Sequence, residues 1–280
     1  PLVCGLPAGP RIKLIGLGGI GCIVLQFLAM FLRSSTRDAR LVLVDGDHFE
    51  PKNLERMHFQ SGGNKAQVKA AETLRMLGPS NVAVVPVPEH VNQENVKRLI
   101  RPGDYVLLCV DNHVTRRLVS EHCQKLPDVV LISGGNDGVD PPRETGTYGN
   151  VQIAVRKDGQ DVTVPITRYH PEIASAKGDL PGADGCGQIV ASVPQILFTN
   201  LAVASAMLNA LFAHSCGQLK YQEVQFDVLE ARSVPQFPLK PDQIQRLSTR
   251  TRRRAQIHRD LIHPESHPAP SSSEGPAGNG

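Results

Sequence analysis

The stretch VDGDHFEPKNLER, residues 44 to 56, sets Asp45, Asp47, Asn53 and Arg56 in one short run. Upstream, GLGGIG places Gly16, Gly18 and Gly21 at G-x-G-x-x-G spacing, with Gly19 between them as a further candidate for nucleotide contact, and downstream Lys65 heads a stretch with helical spacing. A glycine turn of this kind lets a phosphate approach backbone N–H groups at a helix start. An acid at the end of the next strand, here Asp45, is placed to accept hydrogen bonds from a ribose. Ribose binding needs only that one acid, so Asp47, Asn53, Arg56 and Lys65 go beyond it. Arg56 offers a planar fork for phosphate oxygens, and Lys65 a point charge. Asp111, in CVDN, can hold Mg²⁺ through oxygen. A hydride-transfer enzyme has no use for cations around a departing pyrophosphate. Attack of a carboxylate on the α-phosphate of ATP does, because negative charge builds on the leaving group. The glycine frame alone does not separate NAD, ATP and S-adenosylmethionine.

The elements that must position these residues follow from hydrophobic patterning. Strands are expected at 12–16, 41–47, 81–87, 104–111 and 128–136, alternating with helices from Gly19 to Leu32 and at 64–77, 92–100 and 113–126. The alternation predicts an α/β, Rossmann-like nucleotide-binding fold with a mostly parallel, mixed β-sheet flanked by helices. The pattern then changes. Residues 151–167 read as two strands around an Asp-Gly turn, and 168–188 as a long aperiodic loop. Residues 193–213 read as an apolar core or dimer helix, and 221–230 as a last strand.

Composition narrows the classes. Trp is absent and aromatics make up 4% of the chain, which argues against a base-stacking platform for single strands. CIVLQFLAMFL is shorter than the roughly 18 residues of a membrane span, and Pro, Gln, Asn and Thr interrupt 193–213, so no membrane partner is expected. The start carries no signal-peptide pattern. It opens on Pro1 rather than Met, so residues N-terminal to it are expected. The six Cys form no C-x-x-C pair, so no zinc is expected. Cys22 and Cys109 read as small buried hydrophobes, and a reduced, cytoplasmic setting fits this usage. From about Pro235 the composition shifts to an Arg-rich run and then to Ser, Pro and Gly. This divides the chain into a domain at 1–235 and a basic tail at 236–280, expected to be disordered.

GLGGIG, VDGDHFEPKNLER, Lys65, CVDNHVTRRLVSEHC (109–123), ISGG (132–135) and the late apolar helix occur in the order seen in the ThiF/MoeB superfamily. The chain resembles these ubiquitin-activating-enzyme-like adenylyltransferases over about residues 11 to 230. The resemblance implies that Asp45 holds the ribose, that Asn53, Arg56 and Lys65 hold the phosphates, that Asp111 binds Mg²⁺ and that Asp47 assists near the metal. It implies ATP as the nucleotide. It implies as partner a small ubiquitin-like or sulfur-carrier protein, whose C-terminal glycine is activated as an acyl-adenylate. It also implies a homodimer. Some members borrow an N-terminal Arg from the partner subunit, but Arg11 lies too close to the first strand for that. Many pass the acyl group to a Cys before the late helix, which would here be Cys186.

Other readings of the residues stay open. Arg56 and Lys65 could be solvated cations, and Asp111 a helix N-cap. Cys186 is either a thioester nucleophile or structural, with Cys216 a weaker candidate. Arg116 and Arg117 read as structural, and His170 and Glu172 as surface residues, with an acid–base role as the alternative. The basic tail could contact nucleic acid or simply be solvated. Two rival functions accompany these: a tRNA threonylcarbamoyladenosine dehydratase-like enzyme, and an NAD-dependent oxidoreductase. A non-catalytic nucleotide-binding scaffold is a third.

Overall fold

Five continuous apolar runs form the parallel half of one large sheet in the computed structural model, which describes residues 3–34, 38–55, 57–140, 144–182 and 195–238. In chain order the elements begin with β1 (Arg11–Ile15), α1 (Gly19–Ser34), β2 (Ala39–Val44) and β3 (His48–Phe49). A 3₁₀ turn (Pro51–Glu55), β4 (Gly63–Asn64), α2 (Lys65–Leu77), β5 (Val82–Val87) and α3 (Val96–Leu99) follow. Next come β6 (Asp104–Leu108), α4 (His113–Cys123), β7 (Val129–Asn136), β8 (Val139–Asp140) and β9 (Glu144–Thr145). The described residues end with β10 (Tyr148–Lys157), β11 (Gln160–Asp161), α5 (Ile166–Tyr169), α6 (Pro171–Ala174), α7 (Leu197–Ser215), β12 (Glu223–Asp227) and β13 (Arg232–Gln236).

The sheet order is β13-β12-β10-β7-β6-β1-β2-β5, with β11 paired to β10. β5, β2, β1, β6 and β7 run parallel, whereas β10, β12 and β13 extend the sheet in antiparallel fashion. The chain moves outward from β1 to β2 and β5, then returns to place β6 on the other side of β1. The direction of winding therefore reverses between β1 and β6, and in open α/β sheets ligands bind beyond the strand C-termini at such a point.

Two apolar layers sandwich the sheet. One joins α1, α2 and α7 to it through Leu14, Leu28, Leu41, Ile132 and Met207, and the other seats Val119, Ile166 and Ile173 under its opposite face. Among the described residues, α7 is the one helix long and apolar enough to cross a membrane by length and composition. It packs along β7 and β10 and buries Val203, Ala204, Met207 and Ala210. One side of this helix is core, while Leu197, Phe198, Leu201 and Phe212 stay partly exposed.

Several expectations need correction. Residues 92–100 form a helix only at Val96–Leu99. Asn92 and Asn95 accept hydrogen bonds from backbone N–H groups of this stretch, and such local bonding competes with helix formation. The expected hairpin at 151–167 is one long strand with a two-residue return, and its main partners are the distant β7 and β12. The Asp-Gly turn is present, with Asp158 at φ 51° and Gly159 at φ 75°. The first part of the supposed loop at 168–188 contains α6, and β13 follows the last expected strand. The expected basic tail lies outside the described residues from Leu239 onward.

Candidate functional site

Four loops converge at the C-terminal end of the parallel strands. The glycine turn follows β1, the Asp45–Asp47 corner follows β2, the His90 loop follows β5, and Asp111 follows β6. The three frame glycines do different things. Gly16 turns the chain at φ 89°, a left-handed conformation that favours glycine. A Cβ on Gly21 would overlap the Gly16 carbonyl oxygen, so that residue permits close packing of α1 on the turn. A Cβ on Gly18 would meet nothing within 4 Å. Open space at the middle glycine is what a phosphate approaching the backbone requires.

Asp45 is buried and organises the corner. Its Oδ2 accepts the Leu17 N–H at 2.6 Å and its Oδ1 the Asp47 N–H at 2.9 Å. The ribose-type acid thus also fixes the glycine turn. Asn64 ties in the next element: its Nδ2 donates to the carbonyls of Asp45 and Asp47, each at 3.0 Å, and its Oδ1 caps α2 by accepting the Gln67 N–H. This cap puts Lys65 on the first residue of α2, with Nζ 2.9 Å from Asp47 Oδ2. Burial pushes the Asp45 carboxyl up from its usual range, against the nearby Lys65 charge. Burial alone would lower Lys65, but Asp45 and Asp47 outweigh it and raise the ammonium further. Lys65 is therefore a fixed, charged, mostly buried cation rather than a solvated one.

Asn53 is buried in the 3₁₀ turn, where its Oδ1 accepts the Glu50 N–H at 3.0 Å. Asp111 is exposed and makes no hydrogen bond or ion pair to the described residues. The cap of α4 is not Asp111 but its neighbour Asn112, whose side chain accepts the Thr115 N–H at 2.8 Å. The Asp111 carboxylate is thus not used as a cap. Arg116, behind it, is buried and donates to the carbonyls of Val110 and Gly134, which makes it structural as the sequence suggests. Arg117 donates to the Ala176 carbonyl. Arg56 and Cys186 lie outside the described residues. Arg11 pairs with Asp104 at 2.7 Å, at the opposite end of β1 from the glycine turn.

Burial pushes the Cys22 and Cys123 thiols up to about 12, and raises Cys109 as well. None of these three is an activated thiolate near neutral pH. A small recess of about 10 Å³ lined by Ser120, Cys123, Gln124 and Thr163 lies at the other end of the strands, beside the start of β7, and does not serve this site.

Sequence reasoning missed two groups and misplaced a third. Asn200 of α7 is fully buried, and its unpartnered Nδ2 points at Gly19, where a Cβ would collide with it. His90 touches Asp47, with Nε2 3.4 Å from Oδ1. No motif marks either one, since only the fold brings them to the corner. His170, expected on the surface, is buried. Its Nδ1 lies 2.7 Å from Glu172 Oε1, and its Nε2 lies 3.1 Å from Glu223 Oε1. The second contact is a charge contact whose angle falls short of a hydrogen bond. Burial opposes a charge on His170, yet the Glu172 and Glu223 carboxylates prevail and raise it to about 9.

The ThiF family profile matches residues 9–244. The chain is 33% identical to the molybdopterin-synthase adenylyltransferase of Escherichia coli over 169 residues, 59% of this chain and 61% of that protein. It is 39% identical to the adenylyltransferase and sulfurtransferase MOCS3 of Xenopus laevis over 117 residues, 40% of this chain and 24% of that one. It is 35% identical to the SAMP-activating enzyme E1 of Haloferax volcanii over 128 residues, 44% of each chain. The chain thus matches between about a quarter and three fifths of the length of these curated relatives. Among solved structures, E. coli MccB with MccA-N7isoASN aligns with a TM-score of 0.61 at 18% identity, covering 83% of this chain and 66% of that one. PaaA aligns with a TM-score of 0.59 at 17% identity, covering 82% and 64%. At these identities the structural likeness shows the fold.

Proposed function

Because the chain belongs to the ThiF family, we propose that it is an adenylyltransferase using ATP and Mg²⁺ to activate a carboxylate. The favoured substrate is the C-terminal glycine of a small ubiquitin-like or sulfur-carrier protein. The observation that carries the reading is Lys65: a mostly buried, charged ammonium beside Asp45 and Asp47 at the mouth of an open glycine turn. A nicotinamide site needs no such cation. ATP supplies the electrophilic α-phosphorus. An oxygen of the substrate carboxylate bonds to it, and the bond to pyrophosphate breaks. Gly18 and the start of α1 leave room for the phosphates, and Lys65 and Arg56 neutralise them. Asp45 takes the ribose, and the exposed Asp111 carboxylate would hold Mg²⁺. Positioning and charge stabilisation account for catalysis of this kind.

Transfer of the acyl group to Cys186 is an optional second step, and the adenylation does not depend on it. A homodimer is part of the proposal. The test is ATP–pyrophosphate exchange with candidate carrier proteins ending in Gly-Gly. Exchange that requires both the carrier and its terminal glycine supports the reading; exchange with none of them, alongside binding of NAD, overturns it. The Arg-rich run after residue 240 favours one second reading, a carboxylate carried on tRNA. In that case RNA would be retained by the full chain and lost without residues 240–280.

A further inference from the structure

Ionisable side chains follow one another outward from the buried corner: Asp45, Lys65, Asp47 and then His90. Lys65 Nζ lies 2.9 Å from Asp47 Oδ2, while His90 Nε2 approaches the other oxygen of the same carboxylate at 3.4 Å. The imidazole lies close against two glycines. A Cβ on Gly46 would fall 2.6 Å from His90 Nε2 and 2.7 Å from Cγ. Gly46 does not have a positive φ, so its backbone does not require glycine; the ring does. On another side, a Cβ on Gly182 would meet the ring Cδ2 at 3.0 Å. The His90 carbonyl accepts Asn95 Nδ2 at 2.9 Å, which anchors the loop. A side chain packed this tightly against two glycines from separate segments has its ring direction fixed.

This arrangement answers a difficulty in the site. In the ligand-free protein the Lys65 ammonium is engaged by Asp47. To meet a phosphate it must share or leave that carboxylate, and an unpartnered Asp47 would then repel the incoming anion. We propose that His90 is a positioning residue that shares Asp47 with Lys65 and keeps that carboxylate partnered, so that the Lys65 ammonium can leave it for the phosphates of the nucleotide. The identity of that ligand rests on the adenylation reading; the control of Lys65 by His90 does not.

The experiment compares wild type, His90→Gln, His90→Leu and Gly46→Ala. Gln keeps an N–H donor near the place of Nε2, Leu removes it at similar size, and Ala at 46 displaces the ring. Two quantities are read: the rate of Lys65 acetylation by acetic anhydride in the nucleotide-free chain, by peptide mass spectrometry, and ATP·Mg²⁺ affinity by calorimetry. His90→Leu and Gly46→Ala should slow Lys65 acetylation and weaken ATP roughly two- to fivefold, the scale of one partly exposed ion pair, while His90→Gln stays near wild type. Equal acetylation rates in wild type, His90→Leu and Gly46→Ala would overturn the proposal. If acetylation responds as expected but wild type binds no ATP, the nucleotide reading fails and the role of His90 stands. If ATP binds and acetylation does not respond, the reverse holds.

Discussion

Gly18 and Gly21 share a motif but do different physical work, and substitution should separate them. Gly18→Ala places a methyl group in open space, so it should leave the melting temperature nearly unchanged while weakening nucleotide binding at least tenfold. Gly21→Ala drives a methyl into the Gly16 carbonyl and should destabilise the fold itself, by about 1–3 kcal/mol, the usual cost of overpacking. Paired thermal melts and calorimetry check both. Asp45→Asn tests the double role of that acid. The amide can accept from only one of the two backbone N–H groups and turns a donor toward the other, which costs about 1–3 kcal/mol in a buried site. Denaturant unfolding should show that loss together with loss of nucleotide binding. A stability equal to wild type would mean that Asp45 serves the ligand alone.

At the scale of elements, the N-cap of α2 links stability to chemistry. Asn64 caps the helix and also holds the carbonyls of Asp45 and Asp47. Asn64→Ala should cost about 1–2 kcal/mol and weaken ATP binding as well, because Lys65 loses its registration over the corner. A stability loss with unchanged affinity would show that Lys65 is positioned by its own contacts. The parallel half of the sheet was legible in the sequence, since strands buried on both faces are continuous apolar runs and each is followed by helical spacing. The places of the glycine turn, Asp45 and Lys65 were legible too, because each falls at a boundary between a strand and a helix that the hydrophobic patterning marks. The partners of β10 were not legible: β7 and β12 are distant in sequence, and the Asp-Gly turn suggested a local hairpin instead. His90, Asn200 and the His170 cluster were hidden for the same reason. His90, Asn200 and Glu223 each meet a group brought near only by tertiary packing, and neither a loop histidine nor an asparagine in an apolar helix carries any periodic signal.

For the whole molecule, the His170 cluster predicts a pH dependence of stability. His170 titrates at about 9 in the fold, against 6.5 for the free side chain. Its contribution, on the order of 3 kcal/mol, is fully present below about pH 6.5 and is lost as pH rises through about 9. Glu172 is held below its ordinary range: burial would raise it, but the His170 charge overrides that. Its contribution is present above about 4.5 and lost as pH falls through the lowered value. Unfolding free energy should therefore decline between pH 6.5 and 9, and His170→Gln should flatten that decline. An unchanged slope would remove the cluster from the account.

α7 is apolar around its circumference, and although one side packs on the sheet, Phe198 remains 71% exposed and Leu201 39%. α1 likewise exposes Phe27 and Met30. A helix apolar on all sides calls for a second cover, and the proposed homodimer would supply it. Phe198→Glu should then shift the mass measured by light scattering from dimer to monomer. A monomeric wild type would exclude this cover.

The most direct measurement for the central claim is calorimetric titration of the wild-type chain, Lys65→Ala and Arg56→Ala with ATP·Mg²⁺ and with NAD. The account predicts that wild type binds ATP·Mg²⁺ in preference to NAD and that both variants lose at least tenfold in affinity. Preferential binding of NAD, with neither variant altering it, would contradict the reading of this corner as a phosphate-handling site.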